Sequence, residues 1–371
     1  MSRVLVTGGA GFIGSHLADL LLAHGYRVRV LDSLAPQVHG DEQACPSYLD
    51  AEVELAHGDV RNPVLVRRAL EGADMVVHLA AAVGVGQSMY QIADYVGVNE
   101  LGTAVLLEAL LSHPVERLVV ASSMSIYGEG LARTLDGRLT EPEERPLGQL
   151  KQSRWEPVGP DGEPLAPLPT PESKRPALGS VYALNKYTQE RLCLVFGRAY
   201  DLPVTALRFF NVYGTRQALS NPYTGVLAIF ASRLLNGRPP MIFEDGQQRR
   251  DFVHVRDVAR ACLAAVERPE AAGEVVNVGS GVSRTVEDVA RALAHAVGRP
   301  DLQPQVTGRY RAGDIRHCFA DIGRARELLG FQPEENFDEG LAELAEWLAG
   351  KVAIDRVDQA TEELARRGLV A

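Results

Sequence analysis

The sequence predicts an α/β protein with a doubly wound parallel sheet, followed by a smaller mixed α/β domain. Short β-branched runs (RVLVTG, YRVRVLD, VELAHGDV, DMVVHLAA and RLVVASS) alternate with longer helix-like runs such as GSHLADLLLAHG and NELGTAVLLEALLS. This alternation is typical of repeated βαβ units, whose strands form a parallel sheet with helices on both faces. A glycine-rich turn follows the first strand, and the length of 371 residues allows one large domain or two fused smaller ones.

The pattern along the chain predicts a first domain over residues 1–200 and a second over residues 201–350, with some later segments returning to the first domain. After residue 180 it gives a helix (VYALNKYTQERLCLVFGRAY), a strand (PVTALRFF) and then shorter mixed elements. Residues 351–371 include VDQATEELARRG, which has helical composition. We expect a helical appendage there, packed either on the body of the protein or on a neighbouring subunit.

Residues 130–179 interrupt the first domain with a stretch that is dense in proline, glycine and charge. The segment WEPVGPDGEPLAPLPTPESKRP predicts an extended loop or an inserted lobe. A loop of this length inside a compact domain is usually functional or disordered. Two interpretations stay open at this point, a cover over the active site and a solvated surface insertion.

The composition excludes several classes of protein. The net charge of −10 argues against nucleic-acid binding, which depends on clustered Lys and Arg. No window offers about 18 uninterrupted apolar residues, and no leader-like segment precedes the first strand, so we expect a cytoplasmic protein without a membrane partner. The cysteines are scattered and never form CxxC, so neither disulfides nor a metal site is expected. They are Cys45, Cys193, Cys262 and Cys318.

The stretch TGGAGFIG indicates a dinucleotide site of the Rossmann type. It places Gly8, Gly11 and Gly14 between the first strand and the first helix, where glycine permits a tight turn and close approach of a pyrophosphate to the helix N-terminus. The next strand ends at Asp32, whose carboxylate would bind the ribose hydroxyls and repel a 2′-phosphate. This favours NAD over NADP. Further strand ends, with Asp59 and with Leu79, Ala80 and Ala81, line the same carboxyl edge.

The helix SVYALNKYTQE carries Tyr182 and Lys186 four positions apart, so both side chains share one face. An ammonium beside a phenol, assisted by a positive nicotinamide ring, would lower the tyrosine pKa and make Tyr182 a general base. The strand RLVVASSMS ends in hydroxyls that would hold a substrate hydroxyl opposite Tyr182, and Ser123 is the preferred candidate among them.

Together these motifs resemble the extended short-chain dehydrogenase/reductase superfamily, and within it the nucleotide-sugar 4-epimerases. The resemblance rests on TGGAGFIG, the YxxxK of Tyr182 and Lys186, and the SSxxxYG of Ser122 to Gly128, and it spans nearly the whole chain. It implies that the tyrosine removes a proton from the hydroxyl on sugar carbon 4 while NAD takes the hydride. The keto-sugar then turns over, and the hydride returns to its other face.

The resemblance also implies further site residues. RFFNVYG, DGQQRRDFVHVRDV and RAGDIRHCFAD match the substrate half of the family. The implied substrate-binding residues are Ser123, Ser125, Asn211, Val226, Phe243, Arg250, Arg311 and Asp314. The implied cofactor-binding residues are Gly8, Gly11, Phe12, Ile13, Gly14, Asp32, Ser33, Asp59, Val60, Leu79, Ala80, Ala81, Asn99, Tyr182, Lys186 and Phe209. Arginines suit a diphosphate because their bonds to it are charge-assisted.

The residues at two positions limit the choice among the reactions that the resemblance allows. Family dehydratases carry Asp-Glu directly after the catalytic hydroxyl residue, and here those positions are Met124 and Ser125, which disfavours a 4,6-dehydratase. The insertion and the stretch NVYGTRQALSNPYTGVLAIFASRLLNG resemble the dTDP-L-rhamnose 4-epimerases, which make dTDP-6-deoxy-L-talose. Where relatives have a CxxC in the insertion, residues 156–162 read EPVGPDG, which weakens the substrate inference.

Other functions stay open in the sequence. UDP-hexose and UDP-hexuronate are the leading alternative substrates. A non-catalytic sensor of dinucleotide or nucleotide-sugar would share the fold but would not need Ser123, Tyr182 and Lys186. A reductase that releases NADH or NADPH is disfavoured by Asp32. The resemblance further implies a homodimer with a four-helix interface, for which the helices near residues 99–111 and 182–199 are candidates.

Overall fold

The computed structural model of the protein describes residues 1–40, 44–219, 221, 223, 225–351 and 353–371. In this part of the chain the strands are β1 (Arg3–Thr7), β2 (Arg27–Asp32), β3 (Glu54–His57), β4 (Met75–His78), β5 (Arg117–Ser123), β6 (Ala132–Arg133), β7 (Leu139–Thr140), β8 (Ala166–Pro167), β9 (Val204–Phe209), β10 (Asn211–Tyr213), β11 (Met241–Ile242), β12 (Arg249–His254), β13 (Val275–Val278), β14 (Ser283–Thr285), β15 (Gln305–Val306) and β16 (His317–Cys318).

The helices lie between these strands and at the C-terminal end. They are α1 (Phe12–Ala23), α2 (Pro36–His39), α3 (Pro63–Leu70), α4 (Val85–Ser88), α5 (Ile92–Val96), α6 (Gly102–Leu110), α7 (Leu147–Leu150), α8 (Val181–Tyr200), α9 (Val226–Leu235), α10 (Val255–Glu267), α11 (Val286–Ala296), α12 (Gly323–Leu329), α13 (Phe337–Leu348) and α14 (Val357–Arg366). A π-helical turn (Gly97–Leu101) joins α5 to α6, and 3₁₀ turns cover Met124–Tyr127 and Pro269–Ala271. Within the described ranges, no helix has the length and apolarity needed to cross a membrane.

The central sheet confirms the predicted fold class. Seven strands lie in the order β3-β2-β1-β4-β5-β9-β13, and every neighbouring pair is parallel. The order reverses at β1, as in doubly wound sheets, and the ligand crevice of such a sheet lies at the carboxyl ends of the strands beside this reversal. The expected site edge therefore contains the C-terminal ends of β1, β2, β4 and β5.

Helices cover both faces of this sheet. On one face, α1 and α10 pack against each other and contribute Leu17, Leu21, Val258 and Cys262 to a core with the inward side chains of β1, β2 and β13. On the other face, α3, α6 and α8 bury a second set of apolar side chains, including Leu106 and Leu194. Because α10, β9 and β13 all follow residue 200, three later segments complete the N-terminal sheet and its helical layers.

The rest of the later chain forms a smaller mixed unit. β12 pairs with β10 and β16 in parallel and with β14 in the antiparallel sense, while β11 pairs with β15. Helices α9, α11 and α13 enclose the core of this unit, which includes Phe230, Phe252, Leu293 and Leu344. This unit lies beyond the carboxyl edge of β9, since β10 begins at Asn211, two residues after β9 ends.

The insertion over residues 130–179 is a small lobe with a three-stranded antiparallel sheet, β7-β6-β8. It packs on the segment that contains β16: Gly130 N donates to the His317 carbonyl at 2.7 Å and Thr170 N donates to the Phe319 carbonyl at 2.8 Å. It also forms ion pairs there, because the half-exposed Glu156 carboxylate contacts the buried side chains of Arg316 and His317. The proline-rich stretch is therefore anchored to the segment that contains β16 by backbone and side-chain contacts.

A buried ion pair connects α8 to the sheet. Glu190 of α8, fully buried, accepts two bonds from the Arg208 guanidinium of β9 at 2.9 and 2.8 Å. Glu190 also accepts a bond from Ser122 Oγ at 2.7 Å, and Arg208 donates to the Tyr127 hydroxyl at 2.9 Å. Each charge is thus fully bonded, which is the condition under which a buried ion pair is tolerated.

We predict that Glu190→Leu lowers the free energy of unfolding by about 3–5 kcal/mol, because the Arg208 charge is then buried without its partner. The measurement is urea unfolding followed by circular dichroism. Glu108→Leu on the exposed side of α6 is the control and should change stability little. The double variant Glu190→Leu/Arg208→Met should recover much of the loss, and a double variant less stable than either single one would contradict the interpretation.

Candidate active site

The glycine turn between β1 and α1 is shaped for a close approach of a ligand. Gly8 has φ +69°, and a Cβ placed there would lie 2.8 Å from Ala80 N at the end of β4. A Cβ on Gly14 would lie 2.4 Å from the Gly9 Cα, so the helix packs directly on the turn. Helix α1 starts after Gly11 without a side-chain cap, which leaves its first-turn N–H groups available to an anion. Phe12 and Ile13 are the first residues of that helix.

Asp32 lies beside this turn, at the carboxyl end of β2. Its Oδ2 accepts a bond from Ala10 N at 3.0 Å and its Oδ1 accepts one from Leu34 N at 2.9 Å. The His39 imidazole lies 3.8 Å from Oδ1 and was not predicted from the sequence. Ser33 follows Asp32 directly, and its carbonyl contacts the His57 ring at 3.2 Å. The carboxylate is therefore held by backbone donors next to the helix N-terminus.

Other predicted cofactor residues lie at the same edge of the sheet, and one of them, Asp59, already has an ion-pair partner. Leu79, Ala80 and Ala81 follow β4, where Leu79 N donates to the Thr7 carbonyl of β1. Phe209 ends β9 and pairs with Ser123 of β5 in the sheet register. In contrast, Asp59 is already engaged, because Arg61 bonds its carboxylate at 2.6 Å and lowers its pKa.

Asn99 and Val60 have mainly structural contacts in this structure. The Asn99 side chain is buried in the π-helical turn, accepts a bond from Ala82 N at 2.7 Å and donates to the Ala82 carbonyl at 3.1 Å. It therefore fixes the loop after β4 through both of its amide groups. Val60 is buried against α6, where a Cβ on Gly102 would meet it at 2.5 Å.

The reactive end of the site is formed by β5 and the start of α8. Helix α8 begins after Ser180, and the Tyr182 backbone N–H donates to Ser88 Oγ of α4 at 3.0 Å. The Tyr182 side chain interacts with Ser123, which ends β5. Ser123 Oγ also accepts bonds from Ser125 N at 3.2 Å and from Ser125 Oγ at 2.9 Å. The structure thus brings together the three predicted hydroxyl side chains.

The protonation state of Tyr182 differs from the sequence expectation. Burial raises the pKa of Tyr182 to about 12, and the interaction with Ser123 opposes that rise only in part. The sequence argument expected the Lys186 ammonium to lower this pKa, but in the structure the ammonium group bonds elsewhere. Burial therefore favours the neutral phenol. The positive charge of an oxidised nicotinamide ring acts in the direction that favours the phenolate.

Lys186 is buried in a network of neutral polar groups that the sequence analysis did not identify. Its Nζ donates to Gln189 Oε1, one turn further along α8. The Gln189 amide nitrogen in turn contacts His78 Nε2 at 2.9 Å and Thr103 Oγ1 at 3.0 Å. Burial lowers the pKa of Lys186 to about 8, and burial with the nearby Lys186 charge lowers the pKa of His78 to about 3.

The neutral state of His78 determines how this network is oriented. Because Gln189 presents its oxygen to Lys186, its NH₂ group points at His78, whose Nε2 must accept. The other ring nitrogen, Nδ1, then carries the proton and donates to Thr7 Oγ1, 2.7 Å away. Thr7 immediately precedes Gly8, so the network extends from the glycine turn to Lys186. Its sequence signals were the spacing of three residues from Lys186 to Gln189 and the histidine that ends β4.

A second cluster contains half of the predicted substrate residues, Phe243, Arg250, Arg311 and Asp314. The Arg311 guanidinium lies over the Phe243 ring, 4.6 Å from its centroid, and Arg311 Nε is buried without a hydrogen-bond partner among the described residues. Arg250 lies 3.9 Å from Asp314 and donates to the carbonyls of Arg249, Ile315 and Arg316. The arginines predicted for the diphosphate are therefore in one region, although several N–H groups of Arg250 already donate to backbone carbonyls.

Asn211 and Val226 complete the predicted substrate residues. Asn211 starts β10 just beyond the end of β9, and its Oδ1 is buried without a hydrogen-bond partner within the described residues. Val226 is the first residue of α9. Unpartnered buried polar atoms such as Asn211 Oδ1 and Arg311 Nε are rare in native proteins and fit a site whose ligand supplies the missing bonds.

These residues fit a dinucleotide and its reaction partner. The uncapped helix N-terminus suits a pyrophosphate, the restrained carboxylate of Asp32 suits a ribose, and Gly8 lets both approach the backbone. The hydroxyls of Ser123 and Tyr182 lie at the same edge, as proton transfer to a bound alcohol or ketone requires. No group of three or more His, Cys, Asp or Glu side chains suited to a metal ion occurs in the described ranges.

Comparisons with known proteins agree with this geometry. The family model described as the NAD dependent epimerase/dehydratase family matches residues 4–151 and 156–279. A dTDP-L-rhamnose 4-epimerase of Burkholderia thailandensis is 35% identical over 94% of this chain and 95% of its own, and a putative UDP-glucose 4-epimerase of Methanocaldococcus jannaschii is 31% identical over 93% and 98%.

Solved structures and more distant relatives complete the comparison. The UDP-glucose 4-epimerase of Thermotoga maritima, solved with UDP-glucose, superposes with a TM-score of 0.76 at 32% identity, covering 94% of this chain and 98% of that one. A UDP-N-acetyl-alpha-D-glucosaminuronate decarboxylase and dTDP-glucose 4,6-dehydratases are also among the relatives. Both the sequence matches and the fold extend across the cofactor edge and the second unit. The chain belongs to the NAD dependent epimerase/dehydratase family, and it is an enzyme of the extended short-chain dehydrogenase/reductase type that uses NAD.

Proposed function

We propose that the protein is a nucleotide-sugar 4-epimerase that interconverts dTDP-L-rhamnose and dTDP-6-deoxy-L-talose through a transient 4-keto sugar. The observation that carries this proposal is the set of side chains after β5. Tyr182 and Ser123 provide for proton transfer, whereas the positions that hold Asp-Glu in dehydratases hold Met124 and Ser125. Met124 is buried in the core, and Ser125 donates its hydroxyl to Ser123.

In this mechanism Ser123 and Tyr182 hold the hydroxyl on sugar carbon 4 between them. Tyr182 accepts its proton as the carbon–hydrogen bond breaks and returns it when the opposite face of the ketone is reduced. NAD supplies the chemistry of taking the hydride from carbon 4 and giving it back. Burial raises the pKa of Tyr182, so a nearby positive charge is needed to favour the phenolate, the form that accepts the proton of the substrate hydroxyl.

We propose that the Lys186 ammonium, although it is bonded to Gln189 rather than to Tyr182, is a second positive charge that favours the phenolate. Gln189 accepts a bond from that ammonium and thereby favours its charged form in a position where burial opposes it. We therefore assign Gln189 a positioning role, with His78 and Thr103 fixing the direction of its amide group.

The nucleotide end of the substrate is proposed to occupy the cluster around Arg311. The Phe243 ring offers a surface for a base, and Arg311 with Arg250 supplies charge for the diphosphate. Support for thymidine and the 6-deoxy sugar comes from the Burkholderia relative, which is matched along 95% of its length. UDP-hexose and UDP-hexuronate remain the alternatives, since UDP-sugar epimerases are among the relatives.

We also propose that the enzyme is a cytoplasmic homodimer formed through α6 and α8, with α5, which packs on α8, extending the same surface. These helices pack on one another and leave large apolar side chains exposed. Leu184 and Val195, separated by three helical turns on α8, are 48% and 50% exposed, and Ile92 on α5 is 50% exposed. A second copy that covers this surface would bury these side chains in a four-helix interface.

For the substrate, we predict conversion of dTDP-L-rhamnose to its 4-epimer by the purified protein, followed by NMR, with UDP-glucose and UDP-glucuronate as parallel substrates. Tyr182→Phe should lower turnover by about 10²–10⁴-fold because it removes the proton acceptor, while NAD affinity is largely kept. Preferred conversion of a UDP-sugar would replace the proposed substrate. Binding of a nucleotide-sugar without conversion would establish a sensor instead. A net change in absorbance at 340 nm during turnover would indicate a reductase.

For the positioning residue, we predict that Gln189→Leu shifts the alkaline limb of the kcat profile to lower pH by about one unit, because the charged form of Lys186 loses an acceptor. Lys186, with a pKa of about 8, loses its charge as pH rises, so the limb marks its deprotonation. Gln189→Glu should move the limb to higher pH. Initial rates across the pH range measure this, with Thr188→Val as the control, and equal profiles in all variants would exclude the role.

For the dimer, we predict that Leu184→Asp shifts the protein from dimer to monomer, because a charge in the apolar interface would be buried without a partner. Sedimentation velocity at several concentrations measures the change. Leu139→Asp in the insertion, where the leucine is 65% exposed, is the matched control and should leave the dimer intact. A wild-type protein that sediments as a monomer would contradict the proposal.

A further inference from the structure

Residues 353–371, which we call the strap, cross the molecule and contact both halves of the proposed active site. The strap begins at the C-terminal end of α9, where the Asn236 amide donates to the Ala353 carbonyl at 2.8 Å and Arg233 pairs with Asp358 at 2.9 Å. Its helix, α14, buries Val357, Ala360, Thr361 and Leu364. The strap is thus packed on the body of its own chain.

The middle of the strap rests on α4 in the first domain. A Cβ placed on Gly86 of α4 would lie 3.2 Å from Leu364 Cδ1, so the leucine is seated directly on the backbone of that helix. The Arg367 guanidinium lies over the Tyr90 ring, 4.2 Å from its centroid. The same short helix carries Ser88, which accepts the backbone N–H of Tyr182. The strap therefore contacts α4, and α4 in turn bonds the first turn of α8, which carries Tyr182.

The far end of the strap pairs with the segment that carries Arg311. Tyr310 N donates to the Ala371 carbonyl at 2.9 Å, and Ala371 N donates to the Tyr310 carbonyl at 3.1 Å. Val370 and Arg311 form an antiparallel bridge at the same place. On its other side the Tyr310 ring meets Trp155 of the insertion, with 6.1 Å between ring centroids. Residues 310–311 are therefore held from two directions, by the strap and by the insertion.

We propose that the strap is a positioning element for substrate binding, which ties the Arg311 segment to α4 across the substrate cleft and holds both in the binding geometry before substrate arrives. This inference rests on the proposed function, in which Arg311 binds the diphosphate. Two backbone bonds order residues 310–311 in the free protein, so their ordering does not oppose binding. Beyond α9, the strap contacts described above lie on α4 and on residues 310–311, so we expect a larger effect on substrate binding than on NAD binding.

The test compares the full chain with a variant that lacks residues 370 and 371, which loses both backbone bonds to Tyr310 but keeps α14. We expect KM for the nucleotide-sugar and Kd for free dTDP to rise about tenfold, since the segment must then be ordered on binding. Calorimetric Kd for NAD should stay within about twofold, and kcat should fall less than KM rises. Arg367→Ala tests the contact on α4, with Arg366→Ala, whose arginine pairs with Glu362 one turn earlier in the same helix, as the matched control.

The outcomes separate this inference from the proposed function. Unchanged KM and dTDP Kd in the shortened chain, with normal turnover by the full chain, would overturn the strap inference alone. Parallel losses of NAD affinity, dTDP affinity and thermal stability would also overturn it, because they indicate a purely structural role. A full chain that binds neither dTDP nor UDP would overturn both. The Arg367→Ala variant, a change on the surface of an intact helix, gives the same readouts if the shortened chain does not fold.

Discussion

The buried ammonium of Lys186 is the constraint around which the rest of the cofactor edge is arranged. An unpaired charge in the interior of a protein is costly, so the groups near it must favour its charged form or let it lose its proton. Here the solution is a neutral amide, Gln189, whose oxygen faces the ammonium. That orientation requires an acceptor for the amide nitrogen, which keeps His78 neutral and sets its tautomer. The tautomer in turn fixes Thr7 beside the glycine turn.

The same region contains the ion pair of Glu190 and Arg208, one helical turn from Lys186 along α8. Glu190 and Arg208 satisfy each other and tie α8 to β9, and Glu190 also binds Ser122 beside Ser123. The two arrangements have different roles on α8. The ion pair anchors the helix against the sheet, and the neutral network leaves Lys186 with a lowered pKa. A carboxylate in the place of Gln189 would have held the lysine charge more strongly.

The sequence was sufficient for the fold class and the motifs, because strand alternation and the glycine turn are local signals. The prediction of a parallel, doubly wound sheet is confirmed, and β9 and β13 join it after residue 200. The burial and the partners of individual charged side chains could not be predicted, because they depend on residues that are far apart in sequence. Arg316, in a motif matched to substrate binding, is fully buried and bonded to Glu156, Glu244 and Asp245. Likewise, the expected low pKa of Tyr182 neglected its burial.

The burial of Arg316 explains how the insertion can exist without a CxxC staple. Glu156 is the first residue of the EPVGPDG stretch, and its carboxylate binds both Arg316 and His317, which lowers its pKa to about 2. Inside the same cluster, Arg145 of the insertion binds Glu129 and Glu244. These ion pairs fix the lobe to the segment that follows Asp314. Since Trp155, next to Glu156, contacts Tyr310, the charge cluster also determines where the Arg311 segment lies. A change in the insertion therefore acts on the nucleotide end of the site through packed side chains, without itself contacting the reacting carbon.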